Sequence, residues 1–185
     1  MSLWGNALGY QAVWLLAVYG AGAGCAGPAL LAASAYAAWQ LGVSRERRTD
    51  LRLAGAALGC GLVLDGILAR CDLLRYAVAS PALPPGGAPL WILSLWLAFS
   101  LTLNHSLRFL KARPLVAALC GAAGGPLAYA AAARLAHAVS FRPPPWRAWA
   151  VLALGWSAAM VLLGTLAAAG TAASPRKFAH GERPS

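Results

Sequence analysis

Charged residues are scarce in this chain, and acidic residues are the scarcest. Of 185 residues, 11% are charged, and 5 acidic residues stand against 15 basic ones. Four stretches carry no charge at all: residues 1–44, Tyr76–Leu107, Pro114–Ala133 and Ala148–Pro175. A transmembrane helix needs about 20 mostly apolar residues. The composition therefore excludes an ordinary soluble domain and, with a mean hydropathy of +0.63, indicates a polytopic membrane protein.

Signals for a cleaved leader, a metal site and a haem are also missing. No Lys or Arg precedes the apolar run Leu8–Gly24, so this run is predicted to remain as a helix. The cysteines show no C-x-x-C spacing, so no metal is predicted, although a disulfide between Cys25 and Cys71 is conceivable. His105 and His137 are predicted near opposite ends of their helices and cannot share one haem. No cofactor is predicted, and no catalytic constellation is recognisable, so enzymatic activity stays open.

Six apolar segments are separated by short polar, glycine-rich or proline-rich connections. They are Ala7–Gly24, Pro28–Val43, Leu51–Arg70, Pro89–Leu107, Pro114–Ala136 and Ala148–Ala169. The sequence thus predicts an all-α, polytopic integral membrane protein with six transmembrane helices and short loops. Residues 1–173 form the predicted membrane domain, and residues 174–185 form a predicted disordered tail.

The basic residues predict the orientation. If both termini share one side, that side holds the larger group: Arg45, Arg47, Arg48, Arg52, Arg108, Lys111, Arg113, Arg176, Lys177 and Arg183. The other side holds Arg70, Arg75, Arg134, Arg142 and Arg147. Because cytoplasmic loops carry the excess of Lys and Arg, both termini and the tail are predicted to be cytoplasmic, in the bacterial inner membrane. The basic residues lie in short loops without interleaved aromatics, so no nucleic-acid partner is predicted.

A polar cluster closes the fourth segment. Asn104, His105 and Ser106 are predicted at its cytoplasmic end, next to Arg108. Such groups are costly in lipid unless they pack against protein or bind a ligand. His105 could move protons or, with Arg108, hold a phosphate or carboxylate headgroup. Alternatively, Asn104 and His105 hydrogen-bond between helices.

A second group of polar residues is predicted deeper in the membrane and comprises Gln11, Asp65, Ser100, Tyr129 and Arg134. Asp65 is the only acidic residue predicted inside a span. Intramembrane carboxylates mark ion pathways, which is one interpretation of Asp65. The other is a carboxyl group that ties helices together with Tyr129 or Arg134 as its partner. At about 1.5 Å per residue, Asp65 and His105 differ in depth by roughly 15 Å, too far for a direct acid–base pair.

Gly124, Gly125 and Pro126 interrupt the fifth segment near its middle. Proline removes a helix hydrogen bond, and glycine permits close packing. The motif predicts either a broken helix that exposes backbone groups to a substrate or a kink against a neighbour.

Several motifs resemble a family of small bacterial inner-membrane proteins known only as a domain of unknown function. They are YQAVW at Tyr10–Trp14, SRERRTDLR at Ser44–Arg52, GLVLDGIL around Asp65, PLWILSLWLAFSLTLNHSLRFL at Pro89–Leu110 and ALCGAAGGPLAYAAAARL at Ala118–Leu135. The resemblance covers nearly the whole chain. It implies genes near enzymes that resemble cyclopropane-fatty-acyl synthases, and hence a role in membrane lipid modification.

Three functional hypotheses follow. The first is an accessory protein of lipid or fatty-acid modification that binds a membrane lipid near His105 and Arg108, with lipid-modifying enzymes as partners. The second is a proton-coupled transporter of small solutes that uses Asp65 and the Gly124–Pro126 motif. The third is a structural membrane scaffold. The sequence does not indicate an oligomeric state.

Overall fold

Six α-helices make up most of the computed structural model, which describes residues 3–111 and 113–172. They are α1 Leu3–Gly22, α2 Gly27–Val43, α3 Arg47–Arg70, α4 Leu90–Ser100, α5 Pro114–Ala136 and α6 Trp146–Ala172. Each corresponds to one predicted segment, and α5 has the predicted bounds. The all-α class is therefore confirmed. The predicted disordered tail, residues 174–185, lies outside the described residues.

Proline and left-handed residues set several helix boundaries. Pro28 and Pro114 lie in the first turns of α2 and α5, where the missing N–H has no helical partner to lose. Gly24 follows α1 at φ +80°, and His137 ends α5 at φ +53°. Left-handed residues commonly terminate helices in this way.

Among the described residues, three helices are long and apolar enough to cross a membrane: Arg47–Arg70, Pro114–Ala136 and Trp146–Gly170. α4 is a shorter apolar helix of 11 residues. These helices support association with a membrane. The number of six spans and the cytoplasmic termini stay predictions.

The fourth predicted segment does not continue as a helix to Leu107, because α4 ends at Ser100. Residues 101–107 form successive hydrogen-bonded turns. The Ser100 hydroxyl donates to the carbonyl of Leu97, and the Thr102 hydroxyl donates to that of Phe99. Such local bonds compete with helical ones. Of the two alternatives predicted for Gly124–Pro126, the broken helix is wrong, because α5 runs through Pro126 without a break. The kink stays a prediction.

The two ends of the helical bundle differ in character. One end, called here the basic end, holds the start of α3 and the turns between α4 and α5, where Arg47, Arg48 and Arg108 are exposed. The opposite end, the hairpin end, carries two short antiparallel strand pairs. They are β1 Leu74–Tyr76 with β4 Val139–Phe141, and β2 Ala82–Leu83 with β3 Ala88–Pro89.

An exposed ion-pair cluster joins β1 to the segment after β4 at the hairpin end. Asp72 accepts bonds from Arg75 Nε at 3.2 Å and Arg142 Nε at 3.0 Å. The Arg75 hydrogen bond holds the pKa of Asp72 below its usual range, and Arg142 adds to the effect. Because these groups are exposed, their pairing contributes little to the stability of the whole protein.

Small residues let the helices approach closely. A Cβ on Gly121 or Gly125 would overlap Trp156 of α6, and a Cβ on Gly22 would overlap the carbonyl of Ala136. α1 and α5 therefore touch at the hairpin end.

Candidate functional site

A groove of about 520 Å³ lies beside the α1–α5 contact. Its walls come from α1, α4, α5 and α6 and from the turns before α5. On its open side lie exposed residues of α1 and α5, among them Gln11, Cys120, Gly124 and Leu127. The groove therefore opens on the side of the bundle, and the Gly22–Ala136 contact lies at its hairpin end.

Aromatic side chains form the back of the groove. The Trp96 and Trp156 rings stack with centroids 4.2 Å apart, and Phe99 meets Trp156 edge-on at 5.3 Å. Tyr10 of α1 contacts Phe99 at 5.8 Å. Stacked and edge-to-face pairs of this kind hold the rings in one arrangement. The groove consequently has a rigid, mostly apolar wall.

Asp65 lies behind this wall and accepts three hydrogen bonds. Tyr129 Oη donates to Oδ1 at 2.5 Å, Tyr76 Oη donates to Oδ1 at 2.8 Å, and Trp96 Nε1 donates to Oδ2 at 2.8 Å. Asp65 is fully buried. No basic side chain lies within ion-pair distance of it in the part of the chain that is described. The carboxyl group thus joins α3, α4, α5 and β1 through neutral donors.

A second buried carboxyl group, Asp50, lies at the basic end in the first turn of α3. Ser44 Oγ donates to it at 2.5 Å, and Asn104 Nδ2 donates at 2.6 Å. His105 Nε2 is 3.7 Å from Asp50 Oδ2, beyond hydrogen-bonding distance. Fifteen residues separate the two aspartates on α3, about 22 Å at 1.5 Å per residue. They form two separate polar centres.

Asn6 organises the neighbouring contacts. Its Nδ2 donates to Tyr36 Oη at 2.8 Å and to the Leu101 carbonyl at 3.1 Å, and its Oδ1 accepts from Ser106 Oγ at 2.6 Å. Leu101 directly follows α4, so its carbonyl is one that the helix end leaves unbonded. Asn6 therefore donates a hydrogen bond to the free backbone carbonyl at the point where the fourth segment stops being helical. Gln40 also accepts a bond from Asn6.

The predicted polar cluster at the end of segment four is only partly one site. Asn104 and His105 face Asp50, Ser106 faces Asn6, and Arg108 is exposed. None of these four residues lines the groove. Their neighbours Leu107, Phe109 and Leu110 do line it, so Arg108 flanks the end of the groove nearest the basic end.

The predicted deep network is mostly separated by the structure. Asp65 and Tyr129 do meet, but Arg134 is exposed and does not pair with Asp65. Gln11 is exposed at the groove, and the Ser100 hydroxyl donates to the Leu97 carbonyl of its own helix. Arg134 and Gln11 miss Asp65 because their side chains lie on exposed faces of their helices, and Ser100 is buried but uses its hydroxyl within α4.

The Gly124–Gly125–Pro126 motif contributes to packing and to the groove. Gly125 and Pro126 are buried, while Gly124 lies exposed at the groove opening. A Cβ on Gly124 would meet no atom within 4 Å.

Sequence reasoning missed several of the residues that carry the polar centres. Asp50 lies within the basic motif Ser44–Arg52 and was not singled out, yet it is fully buried. Asn6, Tyr36 and Gln40 were not singled out. Polar residues about one helical turn apart, such as Tyr36 and Gln40 near the end of α2, are a usable signal of hydrogen bonds between helices. The bond from Trp96 to Asp65 was not anticipated either.

Four buried polar atoms have no hydrogen-bond partner among the described residues: Gln40 Nε2, Asn104 Oδ1, His105 Nε2 and Trp156 Nε1. Of these residues, only Trp156 lines the groove. No group of three or more His, Cys, Asp or Glu side chains in the described ranges could hold a metal ion.

Comparison with known proteins identifies the family. No curated protein and no solved structure matches the chain significantly. A family described as "Protein of unknown function (DUF2878)" matches residues 3–162, which cover most of the chain. The match agrees with the resemblance indicated by the sequence motifs. The chain therefore belongs to this family of proteins of unknown function.

Proposed function

We propose that this membrane protein binds a membrane lipid, with the hydrocarbon chain in the groove beside the α1–α5 contact. The observation that carries the proposal is the groove itself, about 520 Å³ in volume and lined mainly by apolar and aromatic side chains. A concave site with such a lining is typical of small-molecule binding. It opens on the side of the bundle that would face lipid.

The length of the groove suits a lipid chain. On α5 it extends from Cys120 to Ala132, about 18 Å at 1.5 Å per residue. One leaflet contributes about 15 Å of hydrocarbon. A hydrocarbon chain that already lies in the bilayer gains little free energy from apolar burial alone. The rigid aromatic wall therefore supports selection of a lipid by its shape and by its packing against the rings.

The role in the cell that we propose is accessory to lipid or fatty-acid modification, in the bacterial inner membrane. A protein with a lateral lipid groove can hold its ligand for an enzyme that acts on it. The site differs from the one predicted from sequence, because Asn104 donates to Asp50, His105 faces Asp50 at 3.7 Å, and neither residue lines the groove. Arg108 is the member of the predicted site that flanks the groove.

The test compares two leucine substitutions at matched positions. Gly124→Leu places a side chain in the groove opening, where a Cβ meets no atom within 4 Å. Gly59→Leu does the same on the exposed side of α3, near its middle, where a Cβ also meets nothing within 4 Å. Both proteins are placed in vesicles that contain a phospholipid with a photoreactive acyl chain, and labelled peptides are identified by mass spectrometry.

We expect Gly124→Leu to reduce labelling of α1 and α5 by about tenfold, which is about 1.4 kcal/mol of binding. The Gly59→Leu protein should be labelled there like the wild type. Equal labelling of all three proteins would contradict lipid binding in the groove. The accessory role is tested separately: a deletion strain should show an altered lipid profile that wild-type protein restores and Gly124→Leu does not.

The transporter and scaffold hypotheses gain no specific observation. The transporter hypothesis relied on a broken α5, and α5 is continuous. Asp65 is bonded to three neutral donors, which suits a helix tie as well as an ion site.

A further inference from the structure

We infer that the groove binds an anionic glycerophospholipid in one orientation, with its phosphate at Arg108 and Arg113 and its acyl chain directed toward the hairpin end. This inference rests on the proposed lipid binding and names the class of lipid and the end of the bundle that holds its headgroup. Zwitterionic phospholipids, neutral glycerides and free fatty acids are then weaker ligands.

The wall of the groove carries no charge. None of the described residues that line it is Asp, Glu, Lys or Arg. A charged group moved into such surroundings without a partner would lose far more solvation than it could recover. The charged headgroup of a bound lipid therefore lies outside the groove, at one of its two ends.

The basic end offers two free arginines to such a headgroup. Arg108 is exposed between Leu107 and Phe109, which both line the groove. Arg113 is also exposed, and its backbone N–H donates at 3.1 Å to the carbonyl of Leu110, another lining residue. Neither arginine forms an ion pair with a described residue. Guanidinium groups bind phosphate oxygens through two parallel hydrogen bonds, so these arginines suit a phosphate in charge and in geometry.

The start of α5 adds to the preference for an anion at this end. Arg113 is the N-cap residue of α5, no side-chain hydrogen bond caps the helix, and its first turn contains no acidic residue. A positive side chain at a helix N-terminus is electrostatically unfavourable, whereas a bound anion there is favourable. A phosphate held by Arg113 would therefore also interact favourably with the dipole of α5.

The acidic residues of the basic end are already engaged, which favours a lipid with a net negative charge. Glu46 lies 3.8 Å from Lys111, and Asp50 is buried and held by neutral donors. The described part of this end therefore offers no free carboxylate to a lipid ammonium group. A zwitterionic headgroup would place its ammonium group close to Arg108 without a negative partner, and like charges repel.

The hairpin end suits the headgroup less well. Arg75 and Arg142 both bond to Asp72 there. Arg134 is exposed near the end of α5, but the α1–α5 contact lies at this end of the groove. A headgroup at the hairpin end would therefore meet Arg134 beside the closed part of the groove, without the two free arginines of the basic end.

Gln11 fits the ester linkage of a lipid in this orientation. Its side chain is exposed at the groove opening, five residues or about 7.5 Å along α1 from Asn6. Asn6 bonds Ser106, two residues before Arg108, so Gln11 lies deeper than the level of Arg108. An amide on a side that faces lipid is costly without a partner. In a glycerophospholipid the ester carbonyls lie just below the phosphate, where they could accept a hydrogen bond from Gln11.

The test measures competition against a phosphatidylcholine with a photoreactive acyl chain, bound to the full-length protein in detergent. The competitors are phosphatidylglycerol, phosphatidylethanolamine and diacylglycerol with identical chains, and octadecanoate. In wild type we expect phosphatidylglycerol to compete about tenfold better than phosphatidylethanolamine, equivalent to about 1.4 kcal/mol. Diacylglycerol and octadecanoate should compete more weakly than phosphatidylglycerol.

Four arginine variants locate the headgroup. Arg108→Gln and Arg113→Gln should each reduce the preference for phosphatidylglycerol by about threefold, since each removes one guanidinium from the phosphate. Arg48→Gln removes the same charge from the same end, but α3 contributes no residue to the groove, so the preference should persist. Arg134→Gln at the hairpin end should also leave it unchanged. At about 0.15 M salt the screening length is about 8 Å, which limits the effect of distant charges.

Gln11→Leu tests the ester contact separately. Wild type should bind ester-linked phosphatidylglycerol about threefold better than its ether-linked analogue, as one hydrogen bond predicts. In Gln11→Leu this difference should disappear, while phosphatidylglycerol still competes better than phosphatidylethanolamine.

The inference is overturned if wild type does not distinguish the phospholipids, or if octadecanoate competes best. It is also overturned if Arg48→Gln reduces the preference as much as Arg108→Gln, because the attraction then belongs to the whole basic end. A loss confined to Arg134→Gln would contradict the orientation. If no competitor, diacylglycerol included, displaces the probe, the result counts instead against the proposed lipid binding.

Discussion

At the scale of single residues, the interior of this protein depends on a few polar side chains with assigned partners. Asp50 and Asp65 are both fully buried and are held by neutral donors from other segments. A buried carboxyl group that loses a donor keeps its desolvation cost without the compensating bond. A neighbour that bonds the aspartate should therefore contribute more to the free energy of unfolding than a neighbour that lies beyond hydrogen-bonding distance.

Asn104→Ala should destabilise the protein more than His105→Ala. The Asn104 amide donates to Asp50 at 2.6 Å, whereas His105 Nε2 lies 3.7 Å away and its side chain is 21% exposed. A hydrogen bond to a charged group is worth about 1.5–3 kcal/mol, so we expect a loss near 2 kcal/mol for Asn104→Ala and less than half of that for His105→Ala. Unfolding in mixed micelles at neutral pH measures both. Equal losses would show that the assigned bond is not the important contact.

At the scale of elements, the α5–α6 contact depends on where glycine lies on α5. Gly121 and Gly125 face Trp156, and Gly124 faces the groove. Glycine therefore allows close packing at two of these positions, and at the third it leaves the groove opening free. In α4 it is a hydroxyl group that marks the helix end. The Ser100 hydroxyl donates to the Leu97 carbonyl, and α4 ends at Ser100.

Gly121→Ala and Gly124→Ala should have opposite effects on stability. The new methyl group at 121 would overlap the Trp156 carbonyl, and overpacking costs about 1–3 kcal/mol. At 124 it meets no atom within 4 Å, and alanine gains up to about 1 kcal/mol of helix propensity. The thermal midpoint of each purified protein in detergent would measure the difference. Similar midpoints for the two variants would contradict the assigned helix contact.

At the scale of the whole molecule, the helices alternate in direction between the basic end and the hairpin end. The net charge of +10 is distributed along the sequence so that most basic loop residues fall at one end. The positive-inside rule then predicts a cytoplasmic basic end. The access of a membrane-impermeant reagent to each end of the bundle tests this orientation.

Cysteine labelling can measure it with residues that the chain already contains. Cys25 and Cys71 are exposed beside the hairpin ends of α1 and α3. In single-cysteine proteins, a membrane-impermeant maleimide added to intact spheroplasts should label both. A cysteine introduced by Arg48→Cys at the basic end should react only after permeabilisation. The reverse pattern would invert the proposed topology, and labelling at both ends without permeabilisation would argue against a span between them.

Much of the fold could be predicted from sequence, because apolar length and charge placement act locally. The bounds of α5 and the approximate extent of α1, α2, α3 and α6 follow from them. The candidate site was harder to predict. Asp65 and Tyr129 were correctly brought together by depth along their helices, but depth does not specify which face a residue presents. Arg134 and Gln11, which are exposed, were therefore assigned to a network that they do not join. Ser100 is buried, but its hydroxyl donates to Leu97 of its own helix.

The sequence by itself determined the membrane class, the six helical segments and the asymmetry of charge, since each depends on composition within about 20 neighbouring residues. Only the tertiary structure decided where α4 ends, that Asp50 is buried, and that an apolar groove lies beside the α1–α5 contact. These features arise from contacts between distant residues, such as Asn6 with Ser106 and Asp50 with Asn104. A local pattern cannot specify such contacts, because they depend on how whole helices pack.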